Sequence, residues 1–390
     1  MHTLILCLGI CSAFALGLKL PNPDEKSEKI VGCYTTGGDL AELDLLCTHM
    51  FYSYVGIDKD ASIQIIDPYE DIEGQGYIEF NDLRKKNPKL KTLISIRNND
   101  NHLLPNITNI DSPYRVVTDP ALQEKLVNNI VNFVKKYGFS GIDLDLTDTS
   151  EFGGHPSDKG NLVSSLKALR EKFDKEGLIL SVLVDPNEET AKRFYDIKGI
   201  SKYVNFINLR TFDFHGISDA EKKVGHTSPM YSSSKENAED RKKNIDYVVK
   251  YWISQSAPPN KLILGTASYG TSYTLANSKQ IGRGALFSDV GSYATSIEGT
   301  LEYFNVCLLL KKPEWKHLYD EEQQVPYIYY ENQIVAYESV ESIKTKVIYA
   351  EEMKLGGVWI YSVHQDDFGG VCGEKYPLLK TVNRVLEKKL

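Results

Sequence analysis

The stretch YGFSGIDLDLTDTS, residues 137–150, places Asp143, Asp145 and Thr147 two positions apart. On an extended strand successive side chains alternate, so these three share one face while Ile142, Leu144 and Leu146 share the other. Two carboxylates on the inner face of an apolar strand are costly to bury together, because each disfavours the ionised form of its neighbour. Enzymes accept that cost where paired acids carry general acid and base chemistry; the plainer alternative is a structural hydrogen-bond network. The pair is expected to mark an active site. Yet the next position in the row holds Thr147, whose hydroxyl cannot act as a general acid near neutral pH. Asp148 should leave the opposite face of the strand or lie in the loop, and Glu151 follows it. Either would have to turn inward to stand in.

These acids need a scaffold. Short apolar, β-rich runs at 29–34, 49–57, 91–97, 141–147, 178–184, 204–214, 262–270 and 356–363 alternate with segments of helical period. In ALQEKLVNNIVNFVKKYG, Leu122, Leu126, Ile130, Phe133 and Val134 form one apolar stripe, which Gly138 ends. Near-continuous apolar strands separated by helices predict a parallel sheet covered by helices, and eight units predict a closed (β/α)8 TIM barrel of the α/β class. Chemistry in such barrels sits at the C-terminal ends of the strands. Residues 272–337 break the rhythm with a helical TLEYFNVCLLLKK and a hairpin VPYIYYENQIVAY turning at Glu331-Asn332. They read as a small α+β insertion. The expected layout is a signal peptide at 1–16, the barrel over 22–271 and 338–390, and the insertion at 272–337.

Composition excludes more than it assigns. The 390 residues, 42% hydrophobic and 25% charged, suit a soluble, core-forming chain. A net charge of -8 argues against nucleic-acid and anionic-membrane partners. The mixed-charge run KENAEDRKKN reads as solvated helix surface. An apolar run from Leu4 to Leu16 with an Ala13-Phe14-Ala15 pattern predicts a cleaved signal and a secreted, extracellular protein. No later run approaches the roughly 18 apolar residues of a membrane helix. Loss of Cys7 and Cys11 leaves Cys33, Cys47, Cys307 and Cys372, an even number expected to form two disulfides, with three pairings open. No CxxC or HxxxH spacing points to a metal. The NIT sequon at Asn106 is an expected glycosylation site. A monomer without cofactor or metal is expected.

The strand carrying the acids, SGIDLDLT, resembles the DGxDxDWE motif of glycoside hydrolase family 18, the chitinases and chitinase-like proteins. CYTTGG and CTHMFYSYVGI are similar to the family's first two strands, each with its cysteine, and KTLISIRNN resembles KTLLSIGGW. FINLRTFDFHG followed by GHTSPMY resembles the MTYDFHG strand and its loop, and the match extends over nearly all of residues 29–388. The resemblance implies the pairings Cys33 with Cys47 and Cys307 with Cys372. It also implies a chemistry in which the sugar's own acetamido oxygen attacks C1 while a Glu protonates the leaving oxygen. Asp143 and Asp145 fall on the two inner acids. Ser140 replaces the first Asp, Leu146 the Trp and Thr147 the proton-donating Glu. Losing general acid catalysis costs about 10² to 10⁴ in rate, so hydrolysis is expected to fail.

The family's sugar cleft resembles a row of aromatic platforms, and here most are replaced. Gly38, Asn99 and Ser218 stand at its Trp positions, Phe212 at a Tyr and Thr271 at an Arg. Tyr361 stands in for the Trp of the pocket floor and Trp359 for an inward Met; Asp213 and Tyr269 are retained. Two readings follow. Tyr361 and Tyr269 could stack one or two sugars, leaving a weak chitooligosaccharide or chitin lectin. Alternatively Trp359 and Arg97, bulkier than the residues they replace, fill the pocket, with Arg97 neutralising Asp143 and Asp145. The resemblance extends to insect chitinases and imaginal disc growth factor-like proteins, and so implies a non-hydrolytic signalling or protein-binding scaffold with a protein receptor as partner. A low-activity chitinase is the competing enzyme reading.

Overall fold

The computed structural model describes residues 28–36, 40, 42–97, 113–147 and 157–386. The predicted signal peptide, the sequon at Asn106, the acids Asp148 and Glu151, and Gly38 and Asn99, expected at platform positions, lie outside the described residues.

In chain order the strands are β1 (Ile30–Thr35), β2 (His49–Ile57), β3 (Ile63–Ile65), β4 (Lys91–Ile96), β5 (Gly141–Asp145), β6 (Ile179–Val184), β7 (Phe206–Leu209) and β8 (Leu262–Ala267). There follow β9 (Tyr269–Leu275), β10 (Phe287–Val290), β11 (Thr300–Glu302), β12 (Lys316–Asp320), β13 (Val325–Tyr330), β14 (Gln333–Ala336) and β15 (Gly357–Tyr361). Strands β1, β2, β4 to β8 and β15 pair in parallel, and contacts of β1 with both β15 and β2 close the ring. This is the (β/α)8 barrel. β3 folds back antiparallel on β2 as an appended arm.

Alternation along the strands sorts the apolar residues into two cores. Ile142, Leu144 and Leu146 face outward into the large core between sheet and helices, where Leu126, Ile130 and Val134 of helix Gln123–Tyr137 meet them. Leu122 and Phe133 complete that stripe at its half-buried edge. Gly138 ends the helix at φ +77°, a left-handed conformation that glycine adopts without a side-chain clash. Tyr34, Phe51, Leu93, Leu183, Phe206, Phe212, Ile263 and Trp359 fill the barrel interior.

Strands β9 to β14 make a second, antiparallel sheet with helix Tyr303–Leu310 against it. Its hairpin turns at Glu331-Asn332, with Glu331 at φ +52°. Several runs were over-extended in the sequence reading. The helical reading of TLEYFNVCLLLKK begins too early, because Thr300–Glu302 pairs with β9 as strand β11. The run 204–214 pairs only over Phe206–Leu209; beyond it the chain turns, Asp213 takes φ +59° and Phe214 donates its N–H to the Thr227 carbonyl. The charged run 235–244 is a set of turns and one 3-10 segment at Asp240–Lys242, not helix surface, with Asn237 Oδ1 accepting the N–H groups of Glu239 and Asp240.

Candidate functional site

Strand β5 delivers its acids to the barrel mouth, but to different surroundings. Asp143 is fully buried and accepts hydrogen bonds from Tyr34 Oη at 2.5 Å, Ser181 Oγ at 2.6 Å and Asn208 Nδ2 at 3.1 Å. Burial pushes its carboxyl up to about 7, against the downward pull of the Ser181 and Tyr34 hydrogen bonds and with a further push from Asp145. The Tyr34 phenol is itself raised by burial and by Asp143, so it stays protonated and donating. Its ring stacks on Phe51 with centroids 4.4 Å apart.

Asp145, one alternation nearer the mouth, accepts at Oδ1 from both the Thr147 N–H at 2.9 Å and the Thr147 hydroxyl at 2.6 Å. Its other oxygen lies 3.5 Å from Arg97 Nε, and Arg97 Nη1 reaches Tyr361 Oη at 3.4 Å. The expected neutralisation by Arg97 is therefore an ion pair with Asp145, whereas neutral donors satisfy Asp143. Thr147 ends the row with its hydroxyl turned back onto Asp145.

Trp359 occupies the centre. Its indole Nε1 donates to the Leu209 carbonyl at 3.1 Å, and its ring lies 4.7 Å from Tyr34 and 5.2 Å from Phe212 between centroids. Two glycines make room for it: a Cβ on Gly265 would fall 2.7 Å from the indole ring, and one on Gly32 would fall 2.8 Å from the Trp359 Cβ. The space left at the mouth is about 50 Å³, bordered by Ser53, Ser95, Arg97, Thr147, Arg210 and Tyr361. Sites that enclose a ligand offer roughly 300–1,000 Å³.

A second polar group stands on the rim. Tyr269 Oη donates to Asp213 at 2.7 and 2.8 Å from its two oxygens, and Arg210 Nη2 donates to the same carboxylate at 2.5 Å. Phe212 lies below, 6.1 Å from both Tyr269 and Tyr361. Sequence reading missed Tyr34, Ser181, Asn208 and Arg210. Ser181 and Asn208 had a usable signal, since each is a lone polar residue in an otherwise apolar strand, and Ser181 stands in register with Asp143. Tyr34 had none, because a tyrosine ending an apolar strand reads as core.

The structure holds disulfides between Cys33 and Cys47 and between Cys307 and Cys372. Among the described residues, Cys307, Asp367 and Cys372 alone cluster like metal ligands. Both sulfurs are in the disulfide, and Asp367 accepts the N–H groups of Val371 and Cys372, so they do not form a cation site. No helix among the described residues is long and apolar enough to cross a membrane.

Residues 29–366 match the pattern of the glycosyl hydrolases family 18. The chain belongs to that family. It is 31% identical over 353 residues to probable chitinase 10 of Drosophila melanogaster, a match covering 87% of this chain and 15% of that longer relative. Ostrinia furnacalis group IV chitinase in complex with allosamidin superposes with a TM-score of 0.83 at 30% identity, covering 92% of this chain and 99% of that one. Human YKL-39, described as a pseudo-chitinase with retained chitooligosaccharide binding properties, superposes with a TM-score of 0.79 at 29% identity over 92% of this chain and 100% of that one. This family 18 barrel thus has both chitinases and a pseudo-chitinase among its structural neighbours.

Proposed function

We propose that this family 18 protein is a non-hydrolytic, extracellular chitinase-like scaffold. The observation that carries the reading is Thr147: where the row of inner acids should end in a proton donor, a hydroxyl donates to Asp145 instead. Without a general acid the departing sugar oxygen would have to leave as an alkoxide, and about 10² to 10⁴ of rate is lost. Trp359 and the Arg97–Asp145 pair occupy the volume in which an acetamido sugar would be oriented. The barrel then serves by its surfaces, with a protein receptor as the partner class. Weak chitooligosaccharide binding is a second reading, favoured by the half-buried Tyr269 and Tyr361 at the rim and by the sugar binding described for YKL-39.

Calorimetric titration with chitohexaose, followed by mass analysis of the recovered sugar, tests this directly. No heat and intact sugar are expected from the native chain, and Trp359→Met with Arg97→Gly should gain measurable affinity. Shortened sugar from the native chain would overturn the non-hydrolytic reading; saturable heat with intact sugar would move the assignment to a lectin. Undetectable binding in the double variant would reject a filled pocket as the cause.

A further inference from the structure

We propose that the closed end of the barrel, opposite the mouth, binds a linear sulfated polysaccharide. Helices end and parallel strands begin at that end, and three consecutive units crowd it with cations. Helix Gly76–Lys86, the turn after it and the first residue of β4 contribute Lys86, Lys89 and Lys91; helix Gln123–Tyr137 ends in Lys135 and Lys136; helix Asp158–Glu176 ends with Lys172 and Lys175. The units abut. Arg84 Nη2 donates to the Gly138 carbonyl at 2.5 Å, and Lys135 meets Glu176 at 2.9 Å.

The acids of this face are already matched: Asp82 by Lys85, Glu171 by Lys167, Asp174 by Arg170 and Glu176 by Lys135. Among the described residues, Lys86, Lys89, Lys91, Lys136, Lys172 and Lys175 are exposed and have no acidic partner within ion-pair distance. A chain of net charge -8 thus concentrates uncompensated positive charge on one end. Lysines in a last helical turn complement the helix dipole, but that accounts for one or two per helix. It does not explain Lys89 and Lys91, which lie beyond any helix, nor the groove between two of these helices.

That groove is about 570 Å³, walled by Lys135, Lys136, Lys172 and Lys175, with Glu176 held by Lys135, and lined higher up by Asn128, Val131 and Asn132. Asn128 to Lys136 is roughly 12 Å of helix at 1.5 Å per residue, so the groove is elongated. Ammonium groups on flexible stems are suited to point-like sulfate charges, and side-chain amides both donate to and accept from sugar hydroxyls. A concave channel of this lining admits a polar chain; a bilayer is flat and rewards inserted apolar side chains, of which the groove supplies Val131 alone.

Immobilised heparin tests the proposal. The native protein should be retained at about 0.15 M salt, where surface charges further apart than roughly 8 Å are screened, and should elute above its position on a plain sulfonate exchanger. Lys136→Gln with Lys172→Gln and Lys175→Gln should weaken binding about tenfold or more, as expected when contacts to a polyanion are removed. A control triple on other exposed surface, Lys198→Gln with Lys279→Gln and Lys344→Gln, should change it less than about twofold. No retention at that salt, or equal losses in the two triples, would overturn the site. Binding to phosphatidylserine vesicles but not to heparin would also overturn it, in favour of a membrane surface. None of these outcomes depends on what the mouth does with chitohexaose.

Discussion

Asp143 and Asp213 are carboxylates of one barrel held in opposite ways. Asp143 lies deep in the interior, satisfied by two hydroxyls and an amide and pushed toward its protonated form. Asp213 stands on the rim, a third exposed, and receives a guanidinium and a phenol. An acid surrounded by neutral donors in a dry interior is part of the packing, and the barrel centre depends on it. An acid paired at the rim is held by charges that water largely screens, so stability depends on it weakly. Of two acids in one barrel, one is therefore part of the core and the other part of the surface.

The sharpest way to break this contrast is at the centre. Trp359→Ala should destabilise the fold by about 3–5 kcal/mol, because removing the indole that packs on Gly265, Tyr34 and Phe212 leaves a cavity among closely packed strands. Urea titration reads this as a fall in midpoint with little change in slope. A loss below about 1 kcal/mol would mean that the interior is not packed on Trp359.

Next comes Asp143. Its folded carboxyl lies near 7, well above the roughly 3.9 of an unfolded chain, so between those values the folded protein holds a proton that the unfolded chain has released. Its stabilising contribution is fully present below about 4 and is lost as pH rises through about 7. Asp366, buried at the N-terminus of helix Pro377–Val385 and also pushed up to about 7, works in the same direction. Asp143→Asn should flatten part of the decline of stability between pH 4 and 7 and leave the Asp366 share. An unchanged pH profile would show that Asp143 is ionised throughout.

The smallest effect belongs to the rim. Tyr269→Phe removes both hydrogen bonds to Asp213, yet should cost no more than about 1 kcal/mol, since Arg210 keeps the carboxylate paired. A thermal shift as large as that of Trp359→Ala would erase the distinction between core and rim.

Much of the fold was legible because alternation and helical period report burial directly. The two-residue spacing on β5 assigned Asp143, Asp145 and Thr147 to one face and Ile142, Leu144 and Leu146 to the other. Where the reading ran over, no residue punctuated the chain. LILGTASYG is unbroken as sequence, yet β8 ends at Ala267 and Tyr269 opens the antiparallel sheet, a change of partner at Ser268 that no glycine or proline marks. The shared face of Asp143, Asp145 and Thr147 was legible in the sequence, but the network around it was not. Which donors meet Asp143 depends on three strands distant in sequence, and hydrogen-bond partners across such distances leave no local pattern.

The bond between Cys307 and Cys372 joins the insertion helix to the segment after β15 and spans a sequence separation of 65. β12 to β15, including the strand that closes the barrel between β1 and β8, lie inside this covalent ring. Pulled from its two ends, the oxidised chain could not pay out that length, which at 3.3–3.6 Å per residue is on the order of 220 Å of contour. Tension would pass across the sulfurs, and the closing strand would come loose from its neighbours without ever being stretched itself.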